Sequence, residues 1–141
     1  MTTIAIALAF VLCALAALHA RWAVRNRFES TFVIPKVDGQ YVFIPSQFAT
    51  SMVALALFAA AVIALAQGQV IALEVPPLFV LIAAYGAGAV FMLRAIGDFR
   101  LVGFFKRIRN TTFARWDTRL FSPLSALMGT GFLYLAYLAS R

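Results

Sequence analysis

The sequence predicts an all-α membrane protein: a four-transmembrane-helix bundle with a short cytoplasmic β-hairpin or loop and a cytoplasmic interfacial amphipathic segment. Three observations carry this expectation. Of the 141 residues, 64% are hydrophobic and 12% charged, whereas soluble domains are near half apolar and a quarter charged. Four apolar stretches each approach the about 20 residues needed to cross a bilayer core roughly 30 Å thick. The basic residues gather in two of the three connections between those stretches. A water-soluble chain of this length could not bury so much apolar surface, so residues 1–141 read as a single integral membrane domain.

The four helices are expected at about 3–19, 48–66, 76–97 and 122–139. The first carries no basic residue ahead of it; Arg21, Arg25 and Arg27 follow it. A signal peptide needs the opposite order, so the segment is expected to stay uncleaved with its N-terminus outside. The second and third stretches are free of charge up to Leu93. Pro76 and Pro77 suit the start of the third helix. Glu74 just ahead of them suits the positive end of its dipole, and Gly97 is its expected stop. For the fourth, Ser122-Pro123 reads as an N-cap followed by proline at the first helical position.

Orientation follows from the loops at about 20–47 and 98–121. Residues 21–36 hold four basic side chains and residues 94–119 hold seven, so one side receives eleven of the twelve. Positive loops stay in the cytoplasm. Both termini are therefore expected outside the bacterial cytoplasmic (inner) membrane, in a multi-pass chain. Trp22 and Trp116 fall at the expected cytoplasmic interface, and Tyr134 and Tyr137 approach the outer one, where amphipathic rings concentrate. The net charge of +7 and pI near 10.6 are thus explained without nucleic acid.

Small residues mark the expected packing faces. Ala83, Ala84, Ala87 and Gly88 lie on the third helix, Ser125 and Gly129 on the fourth, and Ala56, Ala60 and Ala64 on the second. Such faces could join helices within one chain or between copies, so a homo-oligomer stays open.

Two connections have their own patterns. In the first, Phe32, Val33 and Ile34 precede Asp38-Gly39, and Tyr41, Val42, Phe43 and Ile44 follow. Asp-Gly between β-favouring runs predicts a tight hairpin turn, with Pro35 at an edge position; the alternative is an irregular loop lying on the membrane. In the third connection, a helix over residues 100–109 would place Leu101, Val102, Phe104, Phe105 and Ile108 on one side. Arg100, Lys106 and Arg107 would lie on the other, with Arg109 off the pattern. That is the layout of an interfacial helix.

The run Arg94-Ala95-Ile96-Gly97-Asp98-Phe99-Arg100 continues through Gly103-Phe104-Phe105-Lys106 to Phe113-Ala114-Arg115-Trp116-Asp117-Thr118-Arg119 and Ser122-Pro123-Leu124. With Leu18-His19 and Trp22, it resembles the small bacterial four-helix membrane proteins of the domain of unknown function 3995 family, over nearly the whole chain. The chain departs from that pattern in two places. Ser125 stands where a cysteine often follows Ser-Pro-Leu, and Ala23 and Val24 stand where glycines often follow the tryptophan. The resemblance implies the four-helix membrane fold and no activity.

The chemistry open to this chain is limited. The middles of all four apolar stretches lack Asp, Glu, Lys, Arg and His. A central charge costs ~2.5–3.5 kcal/mol, and ion-coupled transporters generally carry one, so proton-coupled transport by a single chain is not expected. One His and one Cys exclude a Cys/His metal site or a haem with two His ligands from one chain, and no cofactor is expected. Cys13 reads as a buried, inert thiol.

The ionisable groups gather at one level, giving His19, Trp22, Arg94, Asp98, Arg100, Lys106, Arg115, Asp117 and Arg119 as candidate binding residues. Arg94 and Asp98, four apart, could pair on a helix. If the third and fourth helices are neighbours, the Arg94 and Asp117 motifs meet. Three functional readings follow. The charges could only anchor helix ends, as in a structural or assembly subunit of a membrane complex. They could bind anionic lipids, through a head group or a phosphate-bearing amphiphile, at the cytoplasmic face. Or Asp98 or Asp117 could act as general acid or base, with His19 as a second group, in a membrane enzyme on a lipid-soluble substrate.

Overall fold

The computed structural model describes residues 1–25, 33–37 and 40–141. Helix α1 spans Thr2–Arg25, α2 Gln47–Gln67 and α3 Pro77–Ile96. A short α4 at Thr112–Trp116 runs through a π-helical turn at Asp117–Phe121 into α5 at Ser122–Ala139. Among the described residues, four helices are long and apolar enough to cross a membrane. At 1.5 Å per residue, the 20 residues of α3 match a bilayer core. The chain is a multi-pass membrane protein.

Helix α1 packs closely on α2, and α3 on α5. Both pairs are antiparallel. The Ala23 carbonyl near the end of α1 accepts from Gln47 Nε2 at the start of α2, while the Thr2 hydroxyl donates to Gly68 O at the other end. The α3–α5 seam uses glycine for close approach. A Cβ on Gly129 would lie 2.8 Å from Met92 Cγ.

The packing is inverted relative to a soluble domain. The interior is lined by Ala5, Ala9, Ala60, Ala61, Ala64, Ala84 and Ala136 around Leu12, Phe132 and Leu135. Phe10, Phe48 and Leu127 point outward at 70–76% exposure. Small residues inside and large apolar ones outside is the arrangement lipid favours, because tails solvate Phe and Leu while backbone proximity supplies helix–helix attraction. Of the expected small-residue faces, Ala60, Ala64, Ala84, Gly88, Ser125 and Gly129 are buried, and Ala56 is exposed. Cys13 is also exposed on the outer face of α1, which corrects the expectation of a buried thiol.

Helix α1 extends six residues past the expected His19, carrying Arg21 and Arg25 on its last turns. Strands β1 (Lys36–Val37) and β2 (Gln40–Tyr41) pair antiparallel, with Lys36 opposite Tyr41. The expected Asp38-Gly39 turn and Phe32 lie outside the described residues.

Two further expectations are corrected. Residues 97–111 contain no helix. Gly97, Phe99 and Gly103 have φ of +91°, +61° and +89°, which a right-handed helix cannot accommodate. The loop instead folds back on the end of α3. The Phe104 N–H donates to Ala95 O and the Phe105 N–H to Ile96 O, satisfying carbonyls that a helix end leaves unpaired. Nor does Ser122 act as an N-cap, since it is already helical and α5 runs on directly from the π turn. The N-cap is Thr111, whose hydroxyl accepts from Ala114 N. Pro123 then sits inside a continuous helical path, where its missing N–H and its ring disrupt the ladder. The Ser122 N–H bonds the Asp117 carbonyl five residues back, so the chain absorbs the proline with a π turn.

Gly97 combines φ of +91° with ψ of −172°, a region reached almost only by glycine, and a Cβ there would overlap the Val102 carbonyl. Gly97→Ala should therefore lower stability by more than the about 1–3 kcal/mol of backbone strain alone. Gly86→Ala, where a Cβ meets nothing within 4 Å, should be neutral or stabilising. Thermal unfolding of the purified chain in detergent compares the two.

Candidate functional site

Helix direction brings the end of α1, the start of α2, the end of α3 and α4 to one end of the bundle. Among the described residues this end holds Arg21, Arg25, Lys36, Arg94, Arg100, Lys106, Arg107, Arg109, Arg115 and Arg119, while Arg141 is at the other. At its centre is Asp117, fully buried. Its Oδ1 accepts from Arg94 Nη2 at 2.8 Å. Its Oδ2 accepts from Lys106 Nζ at 2.9 Å, Gly103 N at 2.8 Å and Ser122 Oγ at 3.0 Å.

Lys106 is 2% exposed. Its ammonium also donates to Gly103 O at 2.8 Å and Thr118 Oγ1 at 2.7 Å, which uses all three of its hydrogens. A lysine so deep is tolerable because it is fully paired and hydrogen-bonded. The charge faces Asp117 inside the fold, rather than lying on the polar side of an interfacial helix.

Arg94 and Asp98 do not pair as four-apart helical partners. Helix α3 ends at Ile96, before Asp98 is reached. Asp98 Oδ1 accepts instead from the backbone N–H groups of Arg100, Leu101 and Val102 at 2.7–2.9 Å. Its partial desolvation pushes its pKa up, but those backbone donors outweigh this and hold it below the ordinary 3.8. Arg94 reaches across to Asp117, so the two motifs meet as neighbouring helices would bring them.

Beside this cluster is a cavity of about 320 Å³. Leu15, Leu18, Val53, Leu57, Phe91 and Met128 form apolar walls, and His19, Trp22, Arg94 and Ser125 also line it. Arg94 Nη1 is buried and has no hydrogen-bond partner. The His19 ring meets Trp22 edge-on at 5.1 Å, and His19 Nδ1 lies 2.8 Å from Leu15 O. A carbonyl oxygen only accepts, so Nδ1 carries hydrogen.

Arg115, Trp116 and Arg119 form a separate shallow groove with Thr112. Both arginines are exposed there, as is Arg100 on the loop. Arg115 Nη2 donates to Thr112 Oγ1 at 3.4 Å. A larger depression of about 790 Å³ lies at the opposite end, beside the α2–α3 loop, and no charged residue lines it.

The nine candidate residues thus divide into four settings. Asp117 and Lys106 are an internal lock, and Arg94 joins that lock to the cavity. His19 and Trp22 line the cavity. Arg100, Arg115 and Arg119 are surface cations, and Asp98 organises backbone. Sequence reasoning missed Ser122 and Gly103 as partners of Asp117. The signal for Ser122 was Pro123, because a proline within a helical path forces the wide turn that brings Ser122 back to Asp117.

The family model described as "Protein of unknown function (DUF3995)" matches residues 12–132. The chain belongs to this family. No curated protein and no solved structure matches it. The DUF3995 match covers every residue of the lock and the cavity.

Two outcomes test the lock. Asp117→Asn leaves buried Lys106 without its counter-charge and should cost about 3–5 kcal/mol. Adding Lys106→Met should restore much of that loss, a non-additivity that a double-mutant cycle of unfolding measures. For Asp98, a lowered folded-state pKa means its contribution is present above the unfolded value of 3.8 and is lost as pH falls through the folded value. The stability gap between parent and Asp98→Ala should accordingly be constant near neutrality, begin to narrow near pH 3.8 and close as pH falls through the lower folded value, in an unfolding series against pH.

Proposed function

We propose that this chain holds anionic lipid head groups, or a phosphate-bearing amphiphile, at its basic end. That end would face the cytoplasm of a bacterial inner membrane, with both termini outside. The single observation supporting the reading is the concentration of basic side chains at one end, with Arg115 and Arg119 exposed around a shared groove. Each Lys or Arg near an anionic leaflet gains about 1 kcal/mol, and a guanidinium presents a fork of donors matched to phosphate oxygens. The lock beneath contributes rigidity rather than binding. It holds the loop and α4 in register, so that the surface arginines project from a fixed base. The orientation is favoured by the positive-inside rule. No observation favours the enzyme reading: Asp117 is buried with four donors on its oxygens, and Asp98 Oδ1 is engaged by three backbone N–H groups.

Native mass spectrometry of the full chain should show anionic phospholipid retained over zwitterionic phospholipid. The Arg115→Gln/Arg119→Gln double variant should lose most of that preference, and added salt should weaken it. Equal retention of both lipid classes in parent and variant would sink the proposal.

A further inference from the structure

We infer that the cavity beneath the basic end seats the head and first carbons of a single-chain, singly charged amphiphile, anchored by Arg94. The inference deepens the lipid reading and rests on it in one respect, that this end of the bundle meets anionic amphiphiles. It concerns the space between the helices rather than the surface groove.

Charge comes first. The hydrogen-bonded cluster contains two cations, Arg94 and Lys106, and one anion, Asp117. It therefore carries one positive charge in excess; Lys106 and Asp117 are buried against each other, and the excess falls on Arg94, whose side chain is 35% exposed. One negative charge on an occupant beside Arg94 would balance that excess. Lys106 has no hydrogen left to offer, since its three donors are taken by Gly103 O, Asp117 Oδ2 and Thr118 Oγ1. Arg94 has. Its Nη2 is committed to Asp117, while its Nη1 is buried and unpartnered, on a side chain that lines the cavity. Arg94 is thus the cation on the cavity wall that still has a donor to offer an oxyanion.

The walls set the rest of the occupant. Leu15, Leu18, Val53, Leu57, Phe91 and Met128 offer only apolar contact, which suits an alkyl chain. With about 30 Å³ for each heavy atom, the share a water takes in its liquid, a cavity of about 320 Å³ holds on the order of ten heavy atoms. That accommodates the head and first carbons of one chain. His19 adds a feature of the head. Its Nδ1 hydrogen is used on Leu15 O, which leaves Nε2 to meet a polar atom of the head. A fatty carboxylate and a single-chain phosphodiester lipid share this chemistry: one singly charged oxyanion on one alkyl chain.

Trp22 lines the cavity and reports occupancy. The test uses the full chain with Trp116→Phe, in phosphatidylcholine nanodiscs, so that Trp22 is the sole indole. The probes are 10-bromodecanoate and the equivalent bromo-alcohol, whose bromine quenches indole fluorescence. The acid should quench saturably and at least tenfold more tightly than the alcohol. Arg94→Gln should remove that preference. Ser125→Leu fills the cavity without touching the Lys106–Asp117 pair, and should abolish saturable quenching even if the Arg94 variant fails to fold.

Competition by unlabelled decanoate or by lysophosphatidylglycerol then identifies which oxyanion is held. Quenching that rises linearly, equally for acid and alcohol, and unchanged in Ser125→Leu would overturn the inference. Retention of anionic phospholipid by the surface arginines is independent of Ser125. If cavity binding fails while that retention persists, the cavity inference alone falls. If retention also fails, the lipid reading falls with it.

Discussion

The buried pair between Lys106 and Asp117 is the interaction on which the basic end depends. It joins the α3–α4 loop to the π turn, and Arg94 extends the joint to α3. Each connection is short-range and directional, because every hydrogen on the ammonium and both carboxylate oxygens are engaged. A buried ion pair is weak evidence for net stability, since desolvation offsets most of the attraction. Its consequence here is positional: only one loop conformation supplies Gly103 N, Gly103 O and the Lys106 ammonium together. The pair therefore selects one loop shape, and the loop shape sets where Arg100 and the neighbouring phenylalanines lie.

That selection explains which parts of the structure were legible from residues alone. The four spans were, because membrane thickness imposes a length and an apolar composition that no local interaction can override. The meeting of Arg94 with Asp117 was legible as a conditional, since it follows once α3 and α5 are neighbours. Partner choice within the loop was not. Asp98 stands four residues from Arg94, a spacing that favours pairing only if the helix continues. Gly97 stops the helix, and the carboxylate turns to three backbone N–H groups instead. The periodicity over residues 100–109 misled for a related reason. Lys106 was read with the polar face, yet it is among the most buried side chains of the chain. Amphipathic spacing records where charges fall along a chain and is silent about an acid eleven residues away that can draw one of them inward.

Ser122-Pro123 makes the same point at a helix boundary. Serine followed by proline is a sound start signal when the preceding residues are not helical. Here Thr111 caps a helix eleven residues earlier, and the proline meets a helix already under way. The cost of its missing donor is lessened by widening one turn. The wide turn rotates Ser122 toward Asp117, so the residue that looked like a cap becomes a ligand of the buried carboxylate. Pi turns of this kind are frequent at functional sites, and this one shapes the wall between lock and cavity, since Phe121 lines the latter.

The division of labour within Arg94 links architecture to function. One terminal nitrogen completes the structural lock, and the other is buried without a partner on a side chain that lines the cavity. A guanidinium suits this division because it presents two terminal nitrogens in fixed relation. The lock holds Arg94 in place, and the small-residue packing of α3 against α5 holds the lock. Positioning of the one unpartnered nitrogen is thus inherited from the whole bundle. In the proposed binding, a guanidinium restrained on one side and unsatisfied on the other would act as a directional anion receptor, and the apolar space beside it would limit what accompanies the anion.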